Sequence, residues 1–316
     1  MTYEELAEEW VNDNALLCHT SGSTGRPKEM TLEKKHLLES ARRTADFFGL
    51  DSSSLLYSCI SPDFIGGKMM LVRQRLLGCR LKWEQPSNRP LAGVTERISL
   101  LSVVPSQMIH ILDNLDKMPP VDHILVGGSA IPSALRKRIA DSGLAAYESY
   151  GMTETASHIA LRRIAEHPKP FRTLGDITVS DEDGALGISI PGWKSIVTND
   201  CAEVLNPTEF YISGRKDNII ISGGRKINPE IIEEKLSAYL DIPFYVSSLP
   251  DDKWGQRLII IAEFRGDDQQ HCAKKIQSVC DSCLSPHEKP KEIYIRPGLE
   301  RTASGKIRRI SLSNLT

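Results

Sequence analysis

The sequence lacks the features that would place it in a membrane, in the secretory route or on a nucleic acid. None of its apolar runs approaches the roughly 20 residues that a bilayer-spanning helix needs. Residues 1–5 are acidic and have no signal-peptide apolar core. The net charge of −2 lacks the basic excess typical of nucleic-acid-binding proteins. We therefore expect a cytoplasmic protein with no membrane span and no nucleic-acid partner.

The sequence also has no internal repeat, no low-complexity tract and no second Cys-x-x-Cys pair. Its seven cysteines are expected to be reduced thiols in the cytoplasm. Cys280 and Cys283 have the spacing of half a zinc site, and zinc would need two further ligands. Nearby candidates are His271, Cys272 and His287. Half-buried cysteines on a helix are the favoured interpretation, with zinc as the alternative.

A strand candidate at residues 15–19 runs directly into a loop of Thr, Ser and Gly that ends in Pro-Lys. Glycines and small hydroxyl residues let backbone N–H groups approach phosphate oxygens closely, and Lys28 adds a cation. The loop is not a Walker motif, because no helix-opening Gly-Lys-Ser/Thr is present. The pattern predicts a phosphate-binding loop, with an ordinary turn as the alternative. Its residues are Thr20, Ser21, Gly22, Ser23, Thr24, Gly25 and Lys28.

Residues 1–150 alternate apolar strand candidates with amphipathic helical stretches, which predicts a mostly parallel sheet covered by helices. The strands are expected at 15–19, 55–60, 79–83, 99–104 and 123–127, and the helices at 32–48, 67–77, 105–115 and 132–141. Residues 174–213 are typical of short strands separated by turns. After Arg215 the pattern predicts a separate α/β module, with a helix capped by Asn228, a strand over 257–262 and a helix over 269–284.

Four segments resemble the signature motifs of the adenylate-forming superfamily, which includes acyl-CoA synthetases, adenylation domains and luciferases. They are residues 20–28, 150–155, 214–227 and 301–309, and they occur in the family order. The resemblance covers nearly the whole chain. It implies an α/β fold with a large N-terminal mixed or parallel-sheet domain over 1–216, a β-rich section, and a small mobile C-terminal α/β domain over 217–316. Asp217 matches the family's hinge.

By this resemblance, the chain uses ATP, Mg²⁺ and coenzyme A. Residues 20–28 would hold the β- and γ-phosphates, Thr153 would donate to the α-phosphate, and Glu154 would bind Mg²⁺, a hard cation that suits carboxylate oxygen. Tyr150 would lie against adenine and Asp200 would accept from the ribose hydroxyls. The other nucleotide-binding residues implied are Gly127, Gly128, Ser129, Arg215 and Arg225. The alternatives are a helix-start carboxylate for Glu154 and surface salt bridges for the two arginines.

The resemblance also implies two poses of the C-terminal domain, one for each half-reaction. One pose presents Lys306, the catalytic lysine of adenylation, to the carboxylate and the α-phosphate. The other pose presents a loop beside the channel through which the thiol enters. That loop contains Ser222, Gly223, Gly224 and Lys226. A small polar hinge such as Asp217 can absorb the backbone change between the poses.

The acid-binding region is expected near residues 62–73. Family members usually carry more chain before the phosphate loop, so we expect a shortened N-terminal domain. This shortening, the segment 150–157 and the Thr-Asn-Asp variant at 198–200 are similar to short o-succinylbenzoyl-CoA synthetases of menaquinone synthesis. Arg73 would hold the non-reacting carboxylate, assisted by Lys68 or Ser157. The alternative places Arg73 on a solvated helix face.

The resemblance therefore implies an acid–thiol ligase. It would convert ATP and a small-molecule carboxylic acid, preferably o-succinylbenzoate, to acyl-adenylate and pyrophosphate, and then transfer the acyl group to coenzyme A. The alternatives are another aryl or acyl acid, a carrier-protein thiol as acceptor, or a truncated homologue that binds nucleotide without catalysis. Homo-oligomerisation stays open.

Overall fold

The computed structural model describes residues 1–19, 29–302 and 307–309. The chain divides into two compact units. The first contains Met1–Ile131 and Leu135–Thr178, and the second contains Pro132–Ala134 and Val179–Thr316. The β-rich section therefore groups with the C-terminal module. A division at residue 217 with a mobile domain behind it stays a prediction.

A mixed sheet forms the centre of the first unit. The strands of this unit are β1 (Ala15–His19), β2 (Glu29–Glu33), β3 (Leu55–Ser58), β4 (Arg80–Trp83), β5 (Ile98–Val103), β6 (Val121–Val126), β7 (Ala146–Met152), β8 (Ser157–Arg163) and β9 (Phe171–Thr173). Strands β3 to β9 are arranged in the order β4-β3-β5-β6-β7-β8-β9. Neighbours from β4 to β7 are parallel, and β8 is antiparallel to both β7 and β9. The predicted mixed or parallel sheet is confirmed.

The helices of the first unit are α1 (Tyr3–Asn12), α2 (Lys34–Phe48), α3 (Ile65–Leu77), α4 (Pro105–Asp113) and, from Leu135 onwards, α5 (Ser133–Asp141). Helix α1 was not expected from the sequence. It begins in a reciprocal cap, in which the Thr2 side chain accepts from the Glu5 N–H and the Glu5 carboxylate accepts from the Thr2 N–H. The predicted helices over 32–48, 67–77, 105–115 and 132–141 are confirmed within about two residues.

The sheet of the first unit buries both of its faces, as parallel sheets do. Tyr57 of β3 and Leu101 of β5 belong to an apolar cluster that includes Met108 of α4. Their strand neighbours Leu56 and Leu100 belong to a second cluster with residues of α2 and α3. Successive strand residues therefore enter opposite clusters, because side chains alternate across a strand.

The second unit contains β10 (Thr178–Glu182), β11 (Ala185–Ser189), β12 (Ile196–Asn206) and β13 (Glu209–Arg215), which are neighbours in that order. A hairpin of β14 (Ile220–Ser222) and β15 (Arg225–Ile227) follows. The α/β module then consists of α6 (Pro229–Ser237), β16 (Phe244–Asp251), β17 (Gly255–Glu263), α7 (Gln269–Cys283) and β18 (Glu292–Arg296). Strand β17 pairs antiparallel with β16 and parallel with β18. The predicted cap is present, since the Asn228 side chain accepts from the Glu230 N–H.

Each of the seven cysteines is a free thiol. Cys280 and Cys283 both lie on α7, where Cys280 is buried and Cys283 is half-buried. Burial raises the pKa of Cys280 to about 11. Among the described residues there is no cluster of three or more His, Cys, Asp or Glu side chains that could hold a metal. The helices in the same ranges include none that is both long and apolar enough to cross a bilayer.

Candidate active site

The predicted phosphate loop, with Thr20, Ser21, Gly22, Ser23, Thr24, Gly25 and Lys28, lies outside the described residues. The strands on either side of it are described. Strands β1 and β2 pair antiparallel, ending with His19 opposite Glu29. The Thr153 hydroxyl donates to the carbonyl of His19 at 3.4 Å. The fold therefore brings Thr153, the residue predicted to contact the α-phosphate, to the end of the strand that leads into the loop.

A single 3₁₀ turn over Thr153–Thr155 follows β7. The Thr155 hydroxyl accepts from the Met152 N–H at 3.1 Å and donates to the Ser157 carbonyl at 2.6 Å. The next two residues have positive φ angles, +53° at Ala156 and +118° at Ser157. Such backbone conformations are costly for residues with a side chain and are concentrated at functional sites. The chain thereby reverses within a few residues into β8.

Glu154 is exposed, whereas Thr153 and Thr155 on either side of it are buried. An exposed carboxylate suits Mg²⁺, which keeps several waters and takes one or two carboxylates together with substrate phosphates. The surroundings of Glu154 therefore fit the predicted metal role, in which this side chain and the phosphates of ATP would hold the ion.

The segment Gly127-Gly128-Ser129 follows β6 and lies against β7. A Cβ on Gly127 would stand 2.6 Å from the hydroxyl of Ser149, which donates to the Val126 carbonyl. Gly128 has a φ of +92°. Only glycine allows both the close approach and the positive φ without strain. Ser149 precedes Tyr150, so this backbone lies beside the residue predicted to face adenine.

In the second unit, Asp200 of β12 lies opposite Arg215 of β13 in the strand register. Arg215 Nη1 donates to Asp200 Oδ1 at 3.2 Å, while its Nε and Nη2 each donate to one oxygen of Asp217 at 3.0 Å. The hydrogen bonds to Asp217 raise the pKa of Arg215. The Arg215 guanidinium therefore binds both Asp200, which is predicted to accept from the ribose hydroxyls, and Asp217, the predicted hinge.

The predicted thiol-channel loop is the tight turn between β14 and β15. Gly223 and Gly224 have φ angles of +58° and +76°, as a two-residue turn of this type requires. A Cβ on Gly223 would stand 2.6 Å from the Trp254 ring, whereas a Cβ on Gly224 would meet nothing within 4 Å. The Gly223 N–H also donates to the Trp254 carbonyl at 2.8 Å. Ser222 is half-exposed, and Arg225 and Lys226 are exposed.

Lys306 lies outside the described residues, but its flanks are anchored in the second unit. Arg301 and Ile307 form an antiparallel bridge. Arg309 donates from Nη2 to Glu233 at 2.7 Å and from Nη1 to the Val246 carbonyl at 2.8 Å.

Arg73, the predicted anchor for the acid, is buried in the first unit with 1% of its surface exposed. Its Nη2 donates to Thr44 Oγ1 at 3.3 Å and its Nη1 approaches the Met70 sulfur at 3.5 Å. Among the described residues its Nε has no hydrogen-bond partner. Burial lowers the pKa of this guanidinium to about 10. The alternative prediction, which placed Arg73 on a solvated helix face, is therefore wrong.

A buried histidine, which the sequence did not single out, links Arg73 to Ser157. His158 Nε2 lies 3.0 Å from Thr44 Oγ1, and its Nδ1 lies 3.3 Å from Ser157 Oγ. Burial and the positive charge of Arg73 lower the pKa of His158 well below 6.5. No sequence signal distinguishes this histidine from an ordinary strand residue.

Lys68, the second predicted helper, is also buried on α3 but has different neighbours. Its Nζ lies 3.9 Å from Glu9 Oε2 of α1 and 3.2 Å from the Met1 sulfur. Glu9 Oε1 in turn accepts from the Leu17 N–H of β1 at 3.1 Å. The structure therefore groups Arg73 with Ser157, through Thr44 and His158, and places Lys68 against the N-terminal helix.

The chain is similar to one protein family model and to several curated proteins. Residues 3–214 match the family model described as AMP-binding enzyme. A 2-succinylbenzoate–CoA ligase of Enterococcus faecalis is 26% identical over 334 residues, covering 93% of this chain and 68% of that protein. The Listeria monocytogenes protein of the same name is 29% identical over 341 residues, covering 98% and 72%.

Two solved structures are also similar. An acyl-CoA synthetase (AMP-forming)/AMP-acid ligase II-like protein from Dyadobacter fermentans is 31% identical, with a TM-score of 0.63, covering 98% of this chain and 91% of that one. An o-succinylbenzoate CoA synthetase from Bacillus subtilis, in complex with its acyl-adenylate intermediate, has a TM-score of 0.81 at 22% identity, covering 94% and 68%. At that identity the second likeness concerns the fold alone.

Proposed function

The chain belongs to the AMP-binding enzyme family, and we propose that it is an AMP-forming acid–CoA ligase whose acid is o-succinylbenzoate. In the first half-reaction the acid's carboxylate attacks the α-phosphorus of ATP and pyrophosphate leaves. In the second, the thiolate of coenzyme A attacks the acyl carbonyl and AMP leaves. The relatives named 2-succinylbenzoate–CoA ligase support this choice.

The first unit supplies residues suited to the adenylation step. Thr153 lies at the end of β1 and would donate to the α-phosphate. Glu154 would bind Mg²⁺, which when bound neutralises charge on the phosphate oxygens. Developing charge on those oxygens is stabilised most effectively by donors fixed in advance. The strained turn after β7 would provide that fixed geometry.

The observation that carries the choice of acid is the burial of Arg73 without a carboxylate partner among the described residues. A buried guanidinium is costly unless an anion pairs with it. The non-reacting carboxylate of o-succinylbenzoate would be that anion, and Arg can bind it through two parallel hydrogen bonds. A monocarboxylic acid offers no such group.

The second unit contains the residues proposed to bind the ribose, to act as the hinge between the two poses and to line the thiol channel. Asp200 and Arg215 would bind the ribose, Asp217 would be the hinge, and Ser222, Gly223, Gly224 and Lys226 would line the thiol channel. We propose the cytoplasm as the location, where ATP and coenzyme A are available.

Pyrophosphate exchange tests the acid assignment. The assay compares o-succinylbenzoate, benzoate and a medium-chain fatty acid in the wild type, in Arg73→Ala and in the control Arg75→Ala, which changes an exposed arginine on the same helix. We expect o-succinylbenzoate to be preferred, and Arg73→Ala to raise its KM about tenfold to a hundredfold. Preference for the fatty acid would overturn the acid, and an unchanged KM in Arg73→Ala would overturn the anchor.

A further inference from the structure

Three charged side chains, of which Glu148 and Arg136 are buried and Arg162 is half-buried, meet on the face of β7 that also carries Tyr150. Glu148 Oε2 accepts from Arg136 Nη2 at 2.9 Å and from Arg162 Nε at 2.8 Å. Glu148 and Arg136 are each 6% exposed. Glu148 and Arg162 are also directly opposite in the β7–β8 register. Two guanidiniums share one carboxylate oxygen, so Arg162 is fixed both by the strand register and by charge.

The fixed guanidinium of Arg162 lies on an aromatic ring. Its central carbon is 4.1 Å from the ring centroid of Phe171, and its Nη1 donates to the Lys169 carbonyl at 3.2 Å. Phe171 is 4% exposed, and its ring centroid is 5.7 Å from that of Tyr150 at an interplanar angle of 50°. A cation over an aromatic face and a tilted ring pair are both attractive arrangements.

The strand register explains how the two rings meet. Ala160 of β8 lies opposite Tyr150 of β7, and Thr173 of β9 lies opposite Ala160. The methyl side chain of Ala160 is fully buried and leaves room above β8. The Tyr150 ring can therefore reach Phe171 on the strand beyond. A continuous series of contacts then runs from Arg136 through Glu148, Arg162 and Phe171 to Tyr150.

We propose that Arg162 is a positioning residue for the nucleotide base. It acts through Phe171, and the buried carboxylate of Glu148 holds it in place, so that the angle of the Tyr150 ring is set before adenine arrives. This inference rests on the proposed function, in which Tyr150 lies against adenine. Arg162 then affects recognition of the base and leaves recognition of the phosphates unchanged.

The experiment compares two probes on the full chain by calorimetry, ATP and inorganic tripolyphosphate, which carries phosphates without a base. The variants are Arg162→Lys, Phe171→Leu and Tyr150→Leu. The matched control is Arg172→Lys, which makes the same change at an exposed residue next to Phe171. We expect ATP affinity to fall about threefold to tenfold in the first three variants, with tripolyphosphate affinity unchanged. The control should match the wild type.

The outcomes distinguish the positioning role of Arg162 from the placement of Tyr150 at adenine. If Tyr150→Leu weakens ATP while Arg162→Lys and Phe171→Leu do not, the positioning role is overturned and the nucleotide assignment stands. If Arg162→Lys weakens ATP and tripolyphosphate equally, the residue is merely structural. Unchanged ATP affinity in Tyr150→Leu would overturn the placement of Tyr150 at adenine and the positioning role with it. Should Arg162→Lys fail to fold, Phe171→Leu decides the question.

Discussion

At the scale of single residues, His158 makes the stability of the protein depend on pH. Its pKa lies well below 6.5 because the ring is buried and Arg73 is near. Below about pH 6.5 the unfolded chain binds a proton at this ring that the native state does not bind. The free energy of unfolding therefore falls as the pH drops from 7 towards 5.

Denaturant unfolding at pH 5, 6 and 7 measures this effect. We expect His158→Gln to have a flatter pH dependence than the wild type across that window. The control His167→Gln, which changes an exposed histidine, should keep the wild-type slope. Parallel curves for His158→Gln and the wild type would contradict the account.

Glu154 allows a second prediction at this scale. Glu154→Gln keeps the size of an exposed side chain and removes the charge that a hard cation prefers. We expect the Mg²⁺ concentration needed for half-maximal pyrophosphate exchange to rise about tenfold or more, the scale seen when metal sites lose supporting groups. The exposed Glu8→Gln on α1 is the control. Unaltered metal dependence in Glu154→Gln would make this residue structural.

At the scale of elements, the turn between β14 and β15 offers a matched pair of glycines. Both have a positive φ, but only Gly223 packs against the Trp254 ring. Gly223→Ala must displace that ring and also adopt a positive φ. Gly224→Ala has only the free-energy cost of the positive φ. We expect Gly223→Ala to slow thioester formation from pre-made acyl-adenylate at least about tenfold more than Gly224→Ala, with pyrophosphate exchange unchanged in both. Equal losses would remove the turn from the thiol channel.

The elements also show what the sequence could predict. Apolar runs alternating with amphipathic stretches located β3 to β6 and α2 to α5 within a few residues. Nearly every residue of β3 and β5 is buried, as in parallel strands that are covered on both faces. The turn after β7 was not predictable, since Ala156 and Ser157 have positive φ angles without being glycine. Periodicity could not predict the burial of Arg73 either, because it assigns a charged residue to the solvent.

At the scale of the whole molecule, the two half-reactions should be separable. Lys306→Ala is expected to reduce adenylation about 10²- to 10³-fold, the usual effect of losing one stabilising group. Thioester formation from pre-made acyl-adenylate should be largely retained, because the lysine is assigned to one pose only. Single-turnover assays of each step measure this, and equal losses in both would contradict the two-pose account.

The hinge gives the complementary prediction. Asp217→Pro fixes φ near −65° and removes the carboxylate that Arg215 binds. We expect adenylation to be retained and the thioester step to be impaired. The control Asp217→Asn removes the charge and keeps backbone freedom, so it should preserve both steps. Unchanged overall turnover in Asp217→Pro would remove Asp217 as the hinge.

We propose that this chain joins o-succinylbenzoate to coenzyme A at the expense of ATP. Mass spectrometry of a reaction containing the protein, ATP, Mg²⁺, coenzyme A and o-succinylbenzoate tests it most directly. We expect o-succinylbenzoyl-CoA and AMP in equal amounts, with neither formed when the acid is omitted. Binding of ATP without formation of thioester or AMP would contradict the claim and would identify the chain as a nucleotide-binding homologue without catalysis.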